Sequence, residues 1–158
     1  MRSESPQRTP VREIQINGLV LPPALVRAIE THRWRRPTAL ALQRVFREKP
    51  SGAVFLDLEA MIARNAAWRA ETNPAYFGHA DDRSPPGDID PLRSLVIGEV
   101  GTELPFALDY RTSVDSPSVV YLHSGGDRWI LVARRIEDLL SRLGLDASSF
   151  GRSQVSRP

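Results

Sequence analysis

The chain has 158 residues, a length typical of one domain, with 41% hydrophobic and 25% charged side chains. It contains no cysteine, which excludes disulfides, thiolate zinc sites and cysteine nucleophiles and predicts a reducing, cytoplasmic location. No segment approaches the roughly 20 apolar residues of a membrane helix, and the polar N-terminus lacks the apolar core of a secretory signal.

The net charge of +2 conceals a division along the chain. Residues 1–50 carry ten basic and four acidic side chains, whereas residues 71–127 carry ten acids and three arginines. An acidic surface repels nucleic acid and attracts basic proteins. We therefore expect a protein partner, and neither nucleic acid nor a membrane.

Polar, proline-containing ends predict disordered tails at residues 1–15 and 147–158, around a single domain at residues 16–146. The N-terminal part of this domain is predicted to be mostly helical. Its elements are a helix over 22–33, a helix over 38–47 capped by Thr38, a short buried strand at 53–56 and a helix over 57–71. The last helix is predicted to bury one face formed by Leu58, Met61, Ile62 and Trp68.

Residues 73–93 predict a long loop, because they contain four prolines and four aspartates and show no periodicity. A β-meander follows, with predicted strands "LVIGEV" (95–100), "LPFALDY" (104–110), "SVVYLH" (118–123) and "RWILV" (128–132), and with a turn at "SGGD" (124–127). An amphipathic helix over 136–143 then ends at Gly144, where glycine suits a left-handed helix end. These elements predict the α+β class.

The two glycines of "GEVGT" could belong to a phosphate-binding loop or to a turn between paired strands. A P-loop needs a lysine followed by Ser or Thr and a helix, whereas Pro105 and an alternating pattern follow here. Glu99 and Glu103 flank the turn and would repel phosphate. We interpret the segment as a turn.

Other constellations have a chemical and a structural interpretation, and the sequence favours the structural one. His123, Ser124 and Asp127 include the residue types of a hydrolase triad, but they surround a predicted hairpin without an oxyanion hole. The three histidines lack zinc-ligand spacing, and the aspartates of the loop lack EF-hand spacing. We expect no metal and no cofactor.

Trp34 lies among arginines, where a nucleic-acid base could stack, but a packing role at the end of a helix is favoured. Asp109 could act with Glu99 or Glu103 as an acid–base pair. Because Arg111 follows at once and the sequence implies no pocket, a structural salt bridge or an edge-strand charge is the favoured interpretation of Asp109.

The segments "DIDPLRSLVIGEVG", "PFALDYR" and "PSVVYLHSGGDRWILVARRIEDLLSRLGL" resemble the SUKH superfamily in order and spacing. "LPPALVRAI" and "AVFLDLEAMIARNAAW" resemble its opening helix and its strand-then-helix segment, so the resemblance covers residues 20–145. The superfamily includes the yeast Smi/Knr-type cell-wall regulator and many bacterial immunity proteins. One departure is that Arg134 and Arg135 precede the last helix where the family has a capping Ser or Thr.

The resemblance implies an α+β fold with a central, mainly antiparallel sheet flanked by N-terminal helices and a C-terminal helix. It also implies a non-enzymatic protein of the immunity type, which neutralises a polymorphic toxin, often a nuclease or deaminase, by direct binding. The family shares no catalytic residues. The alternatives are a regulatory or scaffold domain of the cell-wall-regulator type and an enzyme with an unrecognised site.

Charge indicates where such a partner would bind, because the acidic segment could imitate nucleic acid for a basic toxin. The predicted partner-binding residues are Asp81, Asp82, Asp88, Asp90, Glu99 and Glu103.

Overall fold

The computed structural model describes residues 12–80, 82–83, 86–123, 125 and 128–147. In chain order they form β1 (Gln15–Ile16), β2 (Leu19–Val20), α1 (Pro23–Glu30), α2 (Ala39–Phe46), β3 (Val54–Phe55), α3 (Leu58–Arg69), β4 (Ser94–Gly101), β5 (Leu104–Asp109), β6 (Ser118–Leu122), β7 (Trp129–Ala133) and α4 (Ile136–Arg142). Most of both predicted tails, and Asp81, Ser124 and Asp127, lie outside the described residues. Within these ranges no helix is both long and apolar enough to cross a bilayer.

Strands β3 to β7 form one antiparallel sheet in chain order, and β4 to β7 are the predicted C-terminal meander. With helices before and after the meander, the predicted α+β class is confirmed. The "GEVGT" segment is the end of β4 and its turn, because Gly101 pairs with Leu104 and Glu103 has the left-handed φ of 58° that closes a tight turn. The interpretation as paired strands is therefore confirmed.

Each face of the sheet covers its own apolar core. Helices α1, α2 and α4 pack on one face, where Leu25, Phe46 and Leu139 belong to the same core as Phe106 of β5. The other face carries a smaller core formed by Trp68, Ile89, Val96, Ala107, Val120, Leu122 and Trp129. The alternation predicted for β5 is confirmed, since Phe106 and Ala107 lie in different cores.

The sequence prediction did not include the β1–β2 hairpin. Its turn is formed by Asn17 and Gly18, both with positive φ (54° and 80°), which is the geometry that Asn-Gly favours between two strands. The hairpin is held to the main sheet by Tyr110, whose hydroxyl donates to the Val20 carbonyl oxygen at 2.7 Å. Burial raises the pKa of Tyr110, so the hydroxyl remains a neutral donor.

Helix ends follow the local sequence. The side chain of Thr38 accepts a hydrogen bond from the Ala41 amide at 3.2 Å, which confirms the predicted cap of α2. Asp57 caps α3 in the same way. Helix α4 begins after Arg135 with no side-chain cap, and Gly144 follows it with a φ of 71°. The missing cap costs α4 about 1 kcal/mol, and burial of its apolar face compensates.

The buried face of α3 differs from the prediction at two positions. Ile62 is 50% exposed, whereas Asn65, on the adjacent turn, is fully buried. The Asn65 side chain accepts from the Val96 amide at 2.7 Å and donates to the Val96 carbonyl oxygen and to the Met61 carbonyl oxygen, both at 2.8 Å. Strand β3 pairs with β4 only at Glu99 and Gly98. The Asn65 side chain therefore takes the place of a strand partner for the main-chain groups of Val96, beyond the end of the β3 pairing.

Candidate functional site

Asp88, a predicted partner-binding residue, holds the long loop against the sheet. Its Oδ2 accepts from the His79 amide at 3.0 Å and from the Trp129 amide at 3.2 Å, and lies 3.3 Å from Nε of Arg128. The Arg111 guanidinium donates to the main-chain oxygens of Gly87 and Asp88. These contacts join His79 to Asp88 and attach Asp88 to β7 and to Arg111, just after β5, which gives Asp88 a structural role.

Of the other loop acids, Asp90 has a structural contact and Asp82 is exposed to solvent. Asp90 Oδ1 accepts from the Leu92 amide at 2.9 Å and begins the short turn before β4. Asp82 is exposed, and Asp81 lies outside the described residues. Among the loop aspartates that the structure describes, Asp82 is therefore the one exposed for contact with a partner.

Glu99 and Glu103 lie far from the loop acids. Glu99, on β4, places Oε1 3.9 Å from Nε of Arg64 on α3, and Glu103 is exposed in the β4–β5 turn. Asp88 contacts β7, three strands from β4, so about 14 Å of sheet separates it from Glu99. The structure does not bring the six predicted acids together in one described patch.

Replacing Asp88 with alanine is expected to lower the free energy of unfolding by about 2 kcal/mol, because two main-chain amides lose their acceptor. The ion pair with Arg128 contributes little to this loss, because the Arg128 side chain is 59% exposed. Urea unfolding followed by tryptophan fluorescence measures the effect. Asp82→Ala is the matched control and should change stability by less than about 0.5 kcal/mol; equal effects in the two variants would contradict the structural role.

The acid–base pair considered for Asp109 is not formed. Asp109 is 8% exposed, and its Oδ1 lies 3.3 Å from Nε of Arg111, so of the two structural interpretations the salt bridge is confirmed. Asp109 pairs with Ser94 and Glu99 with Pro105, so about 13 Å of strand separates the two carboxylates. In the part of the chain that the structure describes, no three His, Asp or Glu side chains gather as metal ligands.

The structural interpretation of Trp34 is also confirmed. Its indole is 7% exposed, and its N–H donates to the Leu56 carbonyl oxygen at 3.0 Å. Its ring centroid lies 4.7 Å from that of Phe55 and 6.3 Å from that of Phe106. The ring is part of the core and offers no stacking surface for a nucleic-acid base.

A cleft of about 830 Å³ that the sequence did not reveal opens beside β7, between the C-terminal ends of α2 and α4. We call it the basic cleft: Tyr121, Ile130 and Val132 form its floor, and Arg44, Arg47 and Arg142 stand around it. Arg44 and Arg47 are exposed, and neither has an ion-pair partner among the described residues. Arg142 donates to the Val132 carbonyl oxygen at 2.8 Å.

A largely buried carboxylate, that of Glu48, contacts two residues that line the basic cleft. Glu48 Oε1 lies 3.2 Å from Nε2 of His123, and Glu48 also hydrogen-bonds to Tyr121. Burial, and then the charge of Glu48, raise the pKa of the Tyr121 hydroxyl. The other ring nitrogen of His123, Nδ1, accepts from the Gly125 amide at 3.2 Å. Both nitrogens of the imidazole are therefore engaged by the protein, which fixes the ring as a support for Glu48.

The cleft was missed because its residues come from three separate segments of the chain, around α2, along β6–β7 and at the end of α4. One local signal was available: "WILV" is apolar at every position, whereas an edge strand usually exposes polar side chains. Ile130 and Leu131 of that strand are 39% and 56% exposed.

Comparison with models of protein families, with curated proteins and with solved structures finds no match for the chain. The resemblance to the SUKH superfamily stays a prediction from the sequence motifs.

Proposed function

We propose that the protein is a non-enzymatic binding domain that neutralises a toxin domain by direct contact, as the immunity proteins it resembles do. The observation that supports this best is the outer edge of β7, with which no other strand of the described chain pairs. Ile130 and Leu131 are exposed on opposite faces of this strand, and arginines without ion-pair partners in the described chain lie beside Ile130. Exposed apolar side chains bordered by arginine are typical of the centre and rim of protein interfaces.

The main chain of β7 shows that this side is protected against uncontrolled pairing. The Trp129 amide donates to Asp88, and the Val132 carbonyl oxygen accepts from Arg142. Natural proteins block edge strands in such ways to avoid aggregation. Main-chain groups near both ends of β7 are therefore already hydrogen-bonded within the chain, while its apolar side chains stay exposed. Such a surface suits recognition of side chains by a specific partner.

Co-expression with the toxins encoded beside its gene tests the proposal. We expect rescue of growth from one toxin and co-purification of a stable complex. Leu131→Asp should abolish both, because burying an unpaired carboxylate at the centre of an interface is unfavourable. The matched control is Val114→Asp, at a residue 67% exposed between β5 and β6, which should leave both intact.

Two outcomes would contradict the proposal. Failure of every neighbouring toxin to be neutralised or captured would exclude the immunity function. Capture of a cell-wall or regulatory protein without rescue from any toxin would favour the scaffold function instead.

A further inference from the structure

We propose that the basic cleft binds a short acidic segment of the protein partner, with carboxylates on Arg44 and Arg47 and an aliphatic side chain on Ile130. This inference rests on the proposed function and adds the chemistry of the partner to it. It also reverses the expectation from the sequence, which placed the contact on acidic residues facing a basic partner.

The first argument is the charge of the cleft. Arg44 and Arg47 are exposed on the last turn of α2 and immediately after it, and no described carboxylate pairs with them. The nearby carboxylate of Glu48 is already engaged by His123 and Tyr121 and is 11% exposed. The guanidinium groups of these two arginines, without an ion-pair partner in the described chain, are planar forks that match carboxylates in two-point contacts.

The second argument is the floor. Tyr121 and Ile130 are cross-strand partners of β6 and β7, so their side chains lie on the same face of the sheet. Ile130 remains 39% exposed on this floor, while Tyr121 is 4% exposed. An aliphatic side chain placed between the arginines would bury Ile130. The combination of two cations and an apolar floor fits a segment in which acidic and aliphatic residues alternate.

The same features disfavour nucleic acid as the occupant. Single strands bind where aromatic faces are open for stacking, and the ring of Tyr121 is covered by the edge-on contact with Phe46 at 5.4 Å between centroids. A protein segment uses both the charge and the apolar floor, whereas a phosphate backbone uses the charge alone.

The third argument limits the binding mode. A partner strand that added to β7 along its whole length would need the Trp129 amide and the Val132 carbonyl, and both are already hydrogen-bonded within the chain. The segment is therefore held by its side chains in the cleft, between the ends of α2 and α4.

Nuclear magnetic resonance titration of the ¹⁵N-labelled protein tests the proposal. The probe is a short capped peptide in which glutamate alternates with leucine. We expect shifts at the amides of Arg44, Arg47, Tyr121 and Ile130. The double variant Arg44→Glu/Arg47→Glu should weaken binding about tenfold or more, since two charge-assisted contacts become repulsive.

The matched control is Arg69→Glu/Arg93→Glu, which makes the same change in net charge at two exposed arginines outside the cleft. It should change the dissociation constant of the peptide by no more than about twofold. Charges far from the contact act only through the long-range electrostatic field, which salt screens. Equal thermal stability of the two double variants would show that any loss of binding is not a loss of folding.

Several results would overturn the inference: no shifts at the cleft with the glutamate–leucine peptide, equal binding of a lysine–leucine peptide, or tighter binding of a single-stranded oligonucleotide at the same residues. The toxin assay separates this inference from the proposed function. If Arg44→Glu/Arg47→Glu still captures and neutralises the toxin, the cleft is not the contact and the immunity function stands. If the parent protein neutralises no toxin, the immunity function fails whatever the peptide does.

Discussion

Replacing Asn65 with leucine is expected to lower the free energy of unfolding by about 3 kcal/mol. The Asn65 carboxamide gives the Val96 amide its acceptor and the Val96 carbonyl its donor, at 2.7 and 2.8 Å. Both groups lie in the interior, where β3 has already ended. Leucine has a similar size but leaves both main-chain groups without a partner, and its apolar surface offsets part of that loss.

Urea unfolding measures the change, and amide hydrogen exchange at Val96 locates it. We expect faster exchange of the Val96 amide in Asn65→Leu under native conditions. The matched control is Ala66→Leu, which places the same side chain one position further, on the exposed face of α3. It should alter stability by less than about 0.5 kcal/mol. A loss in Asn65→Leu no greater than in this control would disprove this role of Asn65.

Gly98→Ala is expected to destabilise the protein by about 2–3 kcal/mol through overpacking. A Cβ atom at Gly98 would overlap the ring of Phe106, its cross-strand partner, and would lie 2.6 Å from the Val54 carbonyl oxygen on β3. Phe106 cannot move away easily, since its ring centroid lies 5.1 Å from that of Phe46 and 5.2 Å from that of Phe55. Glycine is required here by the close approach of neighbours.

Gly101→Ala provides the control, because it adds the same methyl group to the same strand. A Cβ atom there would meet its nearest neighbours, on Leu104 and Ser51, at 3.4 Å, which is an ordinary contact. Its effect on denaturant unfolding should be below about 1 kcal/mol. Combining Gly98→Ala with Phe106→Leu should recover part of the loss, because the smaller side chain removes the ring overlap. Strict additivity of the two changes would contradict this explanation.

Regular elements could be predicted from the sequence because each has a local cause. The apolar positions of α4 repeat with helical spacing, and the alternation in β5 places Phe106 and Ala107 on opposite faces, as the structure confirms. The cap at Thr38 was also predicted from its position alone. The β1–β2 hairpin was missed although Asn17 and Gly18 give a strong turn signal, since strands of two residues carry no periodicity.

Roles that depend on long-range contacts could not be predicted in this way. Asn65 is a polar residue within a helical pattern, so Ile62 was wrongly assigned to the buried face. Asp88 was grouped with solvated acids because nothing local shows that it accepts from Trp129, 41 residues away. Arg44 and Arg142 meet at the basic cleft only after α2 and α4 have packed on the sheet.

The chain-order arrangement of the main sheet has a consequence for the folding pathway. Strands β4 to β7 are joined by short connections, whereas the link from Phe55 of β3 to Ser94 of β4 includes the whole of α3. Short loops close at a lower entropic cost, so we expect the meander to form in the transition state and α3 to dock afterwards. Asn65→Leu should then accelerate unfolding by about a hundredfold and leave the refolding rate nearly unchanged in stopped-flow measurements. The hydrogen bonds between Asn65 of α3 and Val96 of β4 would thus determine the unfolding rate, and with it the lifetime of the native state, without affecting the folding rate.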